Sequence, residues 1–186
     1  MGDLSSRRGK IAGMDPEGRY QKVRGAVPLA ELIKVKYAHE YTNARGSTEE
    51  SAEQWAQLMK TVIKGYENRI DLIVAHSPGD RSTDENEVRA LRQALGKAVT
   101  RIPITTTKWD TGSGFASAGA ILITAAVKMV ATGEIPPVAN YVPDLSLNLN
   151  IVRKSLKLKR VRTALLPVRA MDGTIGAALI GGIDDA

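Results

Sequence analysis

The sequence predicts an α/β domain with elements in the order β-α-β-α-β-α-β-β, in which helices cover a layered sheet. Short β-branched runs alternate with amphipathic helical runs, and the last two apolar runs are separated only by the turn "MDG". Strands joined through helices form right-handed crossovers in a largely parallel sheet, whereas strands joined by a short turn form a hairpin. The first runs therefore predict crossovers and the last pair predicts an antiparallel hairpin.

The first elements follow residues 1–28, which lack sustained periodicity and are predicted to form an extended arm before a domain at 29–186. "ELIKVKYAHEY" alternates strictly, which predicts a half-buried strand. "STEESAEQWAQLMKTVIKGY" opens with a capping box of Ser47 and Glu50 and repeats apolar residues every three or four positions. This spacing predicts an amphipathic helix.

The remaining elements repeat this alternation. "IDLIVAH" is nearly all apolar, as expected of a strand buried on both faces, and "STDENEVRALRQALGKA" predicts a capped helix. "RIPITTT" predicts a third strand, and "GFASAGAILITAAVKMVATG" predicts a third helix that ends at Gly133. After an irregular segment, "RVRTALLPVRA" and "TIGAALIGGI" predict the final hairpin.

Composition limits the classes of function. The chain has 186 residues, 43% hydrophobic and 25% charged, which is typical of one globular domain. The lack of cysteine excludes a disulfide scaffold, a thiolate zinc site and a cysteine nucleophile on this chain, and is compatible with the cytoplasm, where we expect the protein. No signal-peptide run and no membrane-spanning run is present, so we expect a soluble protein.

Two strand ends carry candidate chemistry, because ligands collect where strands end and helices begin. His76 ends the second strand, where an imidazole has either a structural or a catalytic role. Lys108 follows the third strand, and Gly112 and Gly114 flank Ser113 before the helix of small residues. A phosphate loop is disfavoured because Lys108 precedes the glycines. The spacing around Ser113 also does not match a hydrolase nucleophile turn, so we expect the small residues to allow close backbone packing.

Two segments resemble β-ketoacyl synthases, the condensing enzymes of the thiolase superfamily. "IDLIVAHSPGDRSTDENEVRALRQALG" is similar to the family region with the motif His-Gly-Thr-Gly-Thr and later acidic residues, which places His76 on the first active-site histidine and Asp84 and Glu87 on the acidic positions. "TTTKWDTGSGFASAGAILITAAVKMVATGEIPPVANYVPD" is similar to the Lys-x-x-x-Gly-His segment and the Gly-x-Ile-Pro-Pro that follows it. Lys108 and Gly112 then take the lysine and glycine positions.

The closing "RTALLPVRAMDGTIGAALIGG" resembles the final hairpin of the family, with Gly173 and Thr174 on its Gly-Gly-Thr-Asn turn. The resemblance implies catalytic roles for His76, Lys108 and Ser113, and substrate-binding roles for Gly112 and this turn. It covers residues 30 to 183, corresponds to the C-terminal half of a complete enzyme, and implies a thiolase-like half-fold.

Departures from the family motifs bear on activity. Ser113 stands where the family has its second histidine, "RAMDG" replaces Phe-Gly-Phe-Gly-Gly, and the half that carries the nucleophilic cysteine is absent from this chain. In the family, two imidazoles stabilise the charge on a thioester oxygen during decarboxylative condensation. Loss of one such donor costs about 10²–10³ in rate. We therefore expect the chain alone to be inactive, while His76 and Lys108 either bind a substrate carbonyl or are ordinary polar residues.

The resemblance implies a ketosynthase-like subunit of fatty acid or polyketide biosynthesis, in a hetero-oligomer with a ketosynthase-like chain that carries the cysteine. No cofactor and no metal are expected. The alternative is a non-catalytic scaffold or a subunit similar to a chain length factor.

A net charge of +6 indicates an acidic partner, which the resemblance suggests is acyl carrier protein. The predicted contact is the basic run "VRKSLKLKRVR", or this run is simply a solvated loop and edge strand. Its basic residues are Arg153, Lys154, Lys157, Lys159, Arg160 and Arg162. Nucleic-acid binding is disfavoured, since only 4% of residues are aromatic and no binding module is recognised.

Overall fold

The computed structural model describes residues 10–17, 20–26, 34–41, 48–114, 117–142, 147–170 and 174–181. The strands are β1 Lys10–Glu17, β2 Tyr20–Ala26, β3 Lys34–Tyr41, β4 Ile70–Val74, β5 Ile104–Thr105, β6 Glu134–Ile135, β7 Leu156–Lys157, β8 Thr163–Arg169 and β9 Thr174–Gly181. The helices are α1 Thr48–Ile63, α2 Arg81–Leu95, α3 Lys108–Thr111 and α4 Ala118–Thr132, and a 3-10 helix spans Gly96–Thr100.

Five strands form the main sheet in the order β3-β9-β8-β4-β5. The pairs β4/β5 and β4/β8 are parallel, while β8/β9 and β3/β9 are antiparallel. The predicted α/β fold and the final hairpin are confirmed. The sheet is less parallel than predicted, because the first strand of the domain pairs with the last strand instead of crossing over to a parallel neighbour.

Helices cover both faces of this sheet, and each face has its own apolar core. Alternate residues of β4 point to opposite faces, as a period of two requires: Ile73 packs with α1 and α2, whereas Leu72 and Val74 pack with α4. Trp55 and Met59 of α1 are fully buried in the first core. The apolar stripe predicted for this helix is therefore confirmed, whereas Ser47 of its predicted capping box lies outside the described residues.

Local signals explain where two helices begin and end. Asp80 is the N-cap of α2, and its carboxylate accepts a hydrogen bond from the backbone N–H of Thr83. Gly133 ends α4 in the left-handed conformation, and its backbone N–H donates to the carbonyl oxygen of Met129. A Cβ on Gly133 would lie 2.3 Å from the carbonyl oxygen of Leu158, so this position requires glycine.

Three features differ from the sequence-based expectations. The predicted N-terminal arm contains β1 and β2, which pair as an antiparallel hairpin. The third strand of the domain is reduced to Ile104–Thr105, and Lys108 begins the one-turn helix α3. Among the described residues, the close approach predicted at the small residues of α4 is absent at Gly119, because none of their atoms from another segment lies within 4 Å of where its Cβ would be.

Among the described helices, none combines the length and apolar character that crossing a lipid bilayer requires.

Candidate active site at the ends of two parallel strands

The parallel pairing of β4 and β5 brings the two strand-end candidates together. Ile73 and Val74 pair with Ile104 and Thr105, so both strands end at the same edge of the sheet. His76 follows β4 and Lys108 follows β5, and Lys108 Nζ lies 2.9 Å from His76 Nδ1 and 3.3 Å from Nε2. Both residues are candidates from the sequence, and the structure places them in direct contact.

Both side chains of this pair are buried. His76 is 7% exposed and Lys108 is 8% exposed. Burial, followed by the positive charges of Lys108 and Arg169, lowers the pKa of His76 to about 4, against a smaller opposing effect of Asp80. Burial also lowers the pKa of Lys108, although Glu87 and Asp84 oppose this shift. His76 is consequently a neutral imidazole near pH 7.

The contact with Lys108 leaves one ring N–H of His76 for another partner. Lys108 Nζ lies within hydrogen-bond distance of both ring nitrogens, and an ammonium group only donates, so the nitrogen that pairs with it is the one without a proton. The other nitrogen of the neutral imidazole carries the proton and can donate one hydrogen bond to a carbonyl or an oxyanion.

Glu87 fixes the backbone of the loop that carries His76. Its carboxylate accepts hydrogen bonds from the backbone N–H of His76 at 2.7 Å and of Ser77 at 2.8 Å. Burial raises the pKa of Glu87 to about 7, although these two hydrogen bonds oppose the shift. Ser77 has a φ of 30°, a conformation that costs a non-glycine residue about 1–3 kcal/mol, and the paired amides hold the chain in it.

Two neighbours of His76 were not identified from the sequence. The indole of Trp55 lies edge-on to the imidazole, with 6.2 Å between ring centroids, and its Nε1 donates to the carbonyl oxygen of Gly176. Arg169 donates through Nη1 to Ser51 Oγ at 2.8 Å. Ser51 lies one helical turn before Trp55 in α1. Trp55 belongs to an ordinary apolar helix stripe, so spacing alone gave no sign of its contact with His76.

A cavity of about 620 Å³ lies beside this pair. It is bounded by the ends of β4 and β5, by α2 and by residues 138–142 and 147–151. Lys108, Glu87 and Asp84 lie among its lining residues. Burial raises the pKa of Asp84, against a weaker opposing hydrogen bond from the backbone N–H of Gly79. The arrangement offers polar groups at one end of a largely apolar space, as small-molecule sites do.

The remaining predicted site residues lie apart from this pair. Ser113 is exposed, and within the described part of the chain it forms no hydrogen bond with His76 or Lys108. Gly112 is the exposed C-cap of α3, and Thr174 opens β9 opposite Tyr41. Gly173 lies outside the described residues. Their predicted roles remain predictions.

Two residues of the predicted basic run form intramolecular ion pairs. Arg162 forms a two-pronged ion pair with Asp71, with Nε–Oδ2 and Nη2–Oδ1 distances of 2.9 and 2.6 Å. Burial raises the pKa of Asp71, but the hydrogen bonds and charge of Arg162 outweigh it and bring the pKa below its ordinary value. Lys157 donates to the carbonyl oxygen of Thr132 and to Glu134. These two residues therefore have internal roles.

The other basic residues of the run face solvent. The guanidinium of Arg153 lies 5.6 Å from the ring centroid of Tyr141, which lines the cavity. Lys154, Lys159 and Arg160 are exposed. The basic surface that could contact an acidic partner is therefore smaller than the sequence predicted.

A family comparison decides the identity of the domain. The model of the family "Beta-ketoacyl synthase, C-terminal domain" matches residues 29–142. The chain belongs to this family. The match contains both His76 and Lys108, and it confirms the resemblance seen in their two segments.

Curated relatives are longer than this chain. Nodulation protein E of Rhizobium meliloti is 27% identical over 169 residues, which cover 89% of this chain and 42% of that protein. A polyketide β-ketoacyl synthase 1 of Streptomyces halstedii is 26% identical over 170 residues, covering 89% of this chain and 40% of that protein. The chain spans less than half the length of these relatives.

Solved structures support the same fold. A type II polyketide synthase acyl-carrier protein in complex with its ketosynthase bound to the hexaketide matches with a TM-score of 0.72 and 23% identity, over 79% of this chain and 37% of that chain. A β-ketoacyl synthase from Burkholderia phymatum matches with a TM-score of 0.71 and 17% identity, over 80% of this chain and 37% of that chain. The thiolase-like ketosynthase fold predicted from the sequence is confirmed.

Within the described ranges, no group of three or more His, Asp or Glu side chains has a geometry that could hold a metal ion.

Proposed function

We propose that this chain is the C-terminal half of a ketosynthase-like unit that handles acyl thioesters of fatty acid or polyketide biosynthesis in the cytoplasm. It acts together with a chain or segment that carries the nucleophilic cysteine. The observation that carries the proposal is the buried contact between His76 and Lys108, in a chain of the β-ketoacyl synthase family.

The proposed role of His76 is to donate a hydrogen bond to a thioester carbonyl. The chain has no cysteine, so the acyl group must be held on a partner thiol. Negative charge develops on the oxygen of the malonyl thioester as the bond to carbon dioxide breaks and the enolate forms, and a neutral donor in a buried site stabilises it without reorganisation. Lys108 orients the ring and pairs with the ring nitrogen that carries no proton.

The chain by itself is proposed to be inactive. Ser113 replaces the second imidazole that the resemblance predicts, and an exposed hydroxyl is a weaker donor in a more polar setting. Because the chain has no cysteine, it cannot form an acyl-cysteine thioester by itself. Both losses have to be compensated by the partner for condensation to occur.

Helix α4 supports association with a second chain or segment. Its sequence "AGAILITAAVKMVAT" has one charged residue, Lys128, and such a helix is usually buried on all sides. Here one side packs on the sheet, whereas Ile123 is 38% exposed and Ala120 and Thr124 are exposed. We propose that the cysteine-bearing half covers this apolar face.

Acyl carrier protein is the proposed acidic partner. A matched solved structure is a type II polyketide synthase acyl-carrier protein in complex with its ketosynthase. In this chain, the exposed Arg153, Lys154 and Lys159 offer positive charge close to one another in sequence. Charge pairing of this kind accelerates encounter and weakens as salt increases.

A second candidate is a non-catalytic subunit similar to a chain length factor. The loss of the second imidazole at Ser113 favours it, and another matched structure is the ishigamide ketosynthase/chain length factor, with a TM-score of 0.67. Such a subunit would assemble with a ketosynthase but would not need His76 for turnover.

Co-expression with a cysteine-bearing ketosynthase N-terminal half, followed by light scattering on the eluted species, tests the proposal. A stoichiometric complex is expected, and its formation should survive His76→Ala. A monomeric chain that ignores the cysteine-bearing half would refute the shared-site proposal, because no cysteine would then reach His76.

A further inference from the structure

Arg169 stands where the resemblance places an aromatic residue of the family. In "RAMDG", which replaces Phe-Gly-Phe-Gly-Gly, an arginine takes the place of the first phenylalanine. Arg169 is the last residue of β8, and β8 runs parallel to β4, so it ends at the sheet edge that carries His76. The exchange introduces a permanent positive charge at the edge where the imidazole is neutral.

Helix α1 holds the guanidinium of Arg169 close to the imidazole. Arg169 Nη1 donates to Ser51 Oγ at 2.8 Å, and Ser51 lies one turn before Trp55 in this helix. The Trp55 ring contacts the imidazole of His76, with 6.2 Å between the ring centroids. Arg169 and His76 therefore both lie against the N-terminal half of α1.

The guanidinium has no acid in contact with it among the described residues. Ser51 Oγ accepts its only hydrogen bond there, and none of the ion pairs between described residues includes Arg169. Hydrogen bonding to Thr83 chiefly lowers the pKa of Asp80, and the charge of Arg169 contributes least, so Asp80 is not a close counter-ion. Arg169 is half-buried, and a charge partly removed from water is stabilised by an anionic partner. An acidic ligand would supply that partner.

The two cations near His76 differ in their suitability for a carboxylate. Lys108 lines the cavity together with Asp84 and Glu87, and these acids would repel another carboxylate at that place. The charge of Arg169 acts instead on His76 and Asp80. A guanidinium also offers paired N–H groups in the plane of a carboxylate, which an ammonium does not. Arg169 is therefore the better place for an acidic group.

We propose that Arg169 binds the free carboxylate of a short dicarboxylic thioester, such as a malonyl thioester, whose carbonyl oxygen accepts a hydrogen bond from His76. Arg169 thereby selects an acidic acyl group over a neutral one. The inference rests on the proposed function for the thioester, whereas the carboxylate contact needs only side chains of this chain.

Calorimetric titration of the full chain with malonyl-N-acetylcysteamine and with its carboxyl methyl ester tests the proposal. The two probes share the thioester carbonyl and differ in one negative charge. Charge-assisted hydrogen bonds predict about 10- to 100-fold tighter binding of the acid. Equal affinity for the two probes, or no binding of the acid at millimolar concentration, would overturn the proposal.

Substitutions identify the group responsible. Arg169→Gln should abolish the preference for the acid, and Arg169→Lys, which keeps the charge without the planar fork, should retain part of it. Arg101→Gln is the matched control, because it also removes one positive charge but from an exposed side chain before the start of β5. If Arg169→Gln is poorly folded, Ser51→Ala removes the tether and should weaken the preference. An undiminished preference in a folded variant at Arg169 or Ser51 would contradict the proposal.

Kinetics of the assembled complex give a readout that a merely structural role would not change. The electron pair of the breaking carbon–carbon bond passes into the enolate as carbon dioxide leaves, so a contact with the carboxylate stabilises bound substrate more than the transition state. Arg169→Gln is therefore expected to raise KM for malonyl-acyl carrier protein without lowering kcat. A lower kcat with unchanged KM would contradict binding of the carboxylate.

The two proposals fail separately. A preference for the acid in a chain that never associates with a cysteine-bearing half would retain the carboxylate contact and refute the shared active site. An active complex whose chain binds acid and ester equally would retain the shared site and refute the role of Arg169.

Discussion

Lys108 Nζ and His76 Nδ1 lie 2.9 Å apart at the ends of two parallel strands, and both side chains are buried. This contact couples the protonation state of the imidazole to a neighbouring cation. Burial already disfavours the imidazolium, and the ammonium disfavours it further. The pair therefore supplies a neutral donor at a place where a carbonyl can be bound.

The first prediction concerns the pKa of His76. Lys108→Met removes a positive neighbour and should raise this pKa above about 4, and Arg169→Gln should raise it by a smaller amount. Asp80→Asn keeps an N-cap side chain but removes a negative charge, so it should lower the pKa. Imidazole resonances followed by NMR through a pH titration measure all three. The same pKa in all variants would mean that burial alone sets it.

The second prediction concerns stability and pH. The pKa of His76 is about 4 in the folded chain and 6.5 ordinarily, so the unfolded chain binds more protons between these values and this residue makes the free energy of unfolding rise with pH. Glu87, with a pKa of about 7 against an ordinary 4.5, acts in the opposite direction between 4.5 and 7. The two effects oppose each other in the wild type.

His76→Gln removes the first effect. The difference in unfolding free energy between wild type and variant should then grow, in favour of the wild type, by on the order of 2 kcal/mol from pH 4 to 6.5. Urea unfolding at several pH values measures this difference. Parallel stability curves for the two proteins would contradict it.

The third prediction compares two ion pairs. Asp71→Asn weakens the half-buried pair with Arg162 and should destabilise the chain by about 1–3 kcal/mol. Glu134→Gln weakens the exposed pair with Lys157 and should cost less than about 1 kcal/mol. Chemical denaturation gives both values. Equal losses of unfolding free energy would show that the second hydrogen bond between Arg162 and Asp71 adds no stability.

The fourth prediction concerns two glycines. Gly119→Ala should stabilise the isolated chain by up to about 1 kcal/mol, because the position is helical and its Cβ would contact none of the described residues. Gly133→Ala should destabilise it, because the φ is 71° and the new Cβ meets the carbonyl oxygen of Leu158. If a second half packs on α4, Gly119→Ala should also weaken that complex, which an affinity measurement would detect.

The strand-end residues could be predicted from the sequence because their position depends on local pattern and one topological rule. Parallel strands that end together bring His76 and Lys108 to the same edge, and the order of elements was sufficient to predict that edge. The pairing of β3 with β9 was not predicted, since contacts between the two ends of a domain leave no local signal.

The surroundings of His76 were also beyond the sequence. Glu87 reaches back to the amides of His76 and Ser77 because α2 folds over the strand end, and this depends on helix packing. Arg162 resembled any other surface cation until the structure placed Asp71 beside it. Local patterns predict elements, whereas tertiary packing decides which charged side chains are already paired.

We propose that His76 acts in catalysis within a shared site. The most direct measurement is the release of carbon dioxide from malonyl-acyl carrier protein by the complex of this chain with a cysteine-bearing half, compared between wild type and His76→Ala. We expect the variant to assemble normally but to release carbon dioxide more slowly by about 10²–10³, the cost of losing one such donor. Full activity of an assembled His76→Ala complex would contradict the account and leave a non-catalytic subunit.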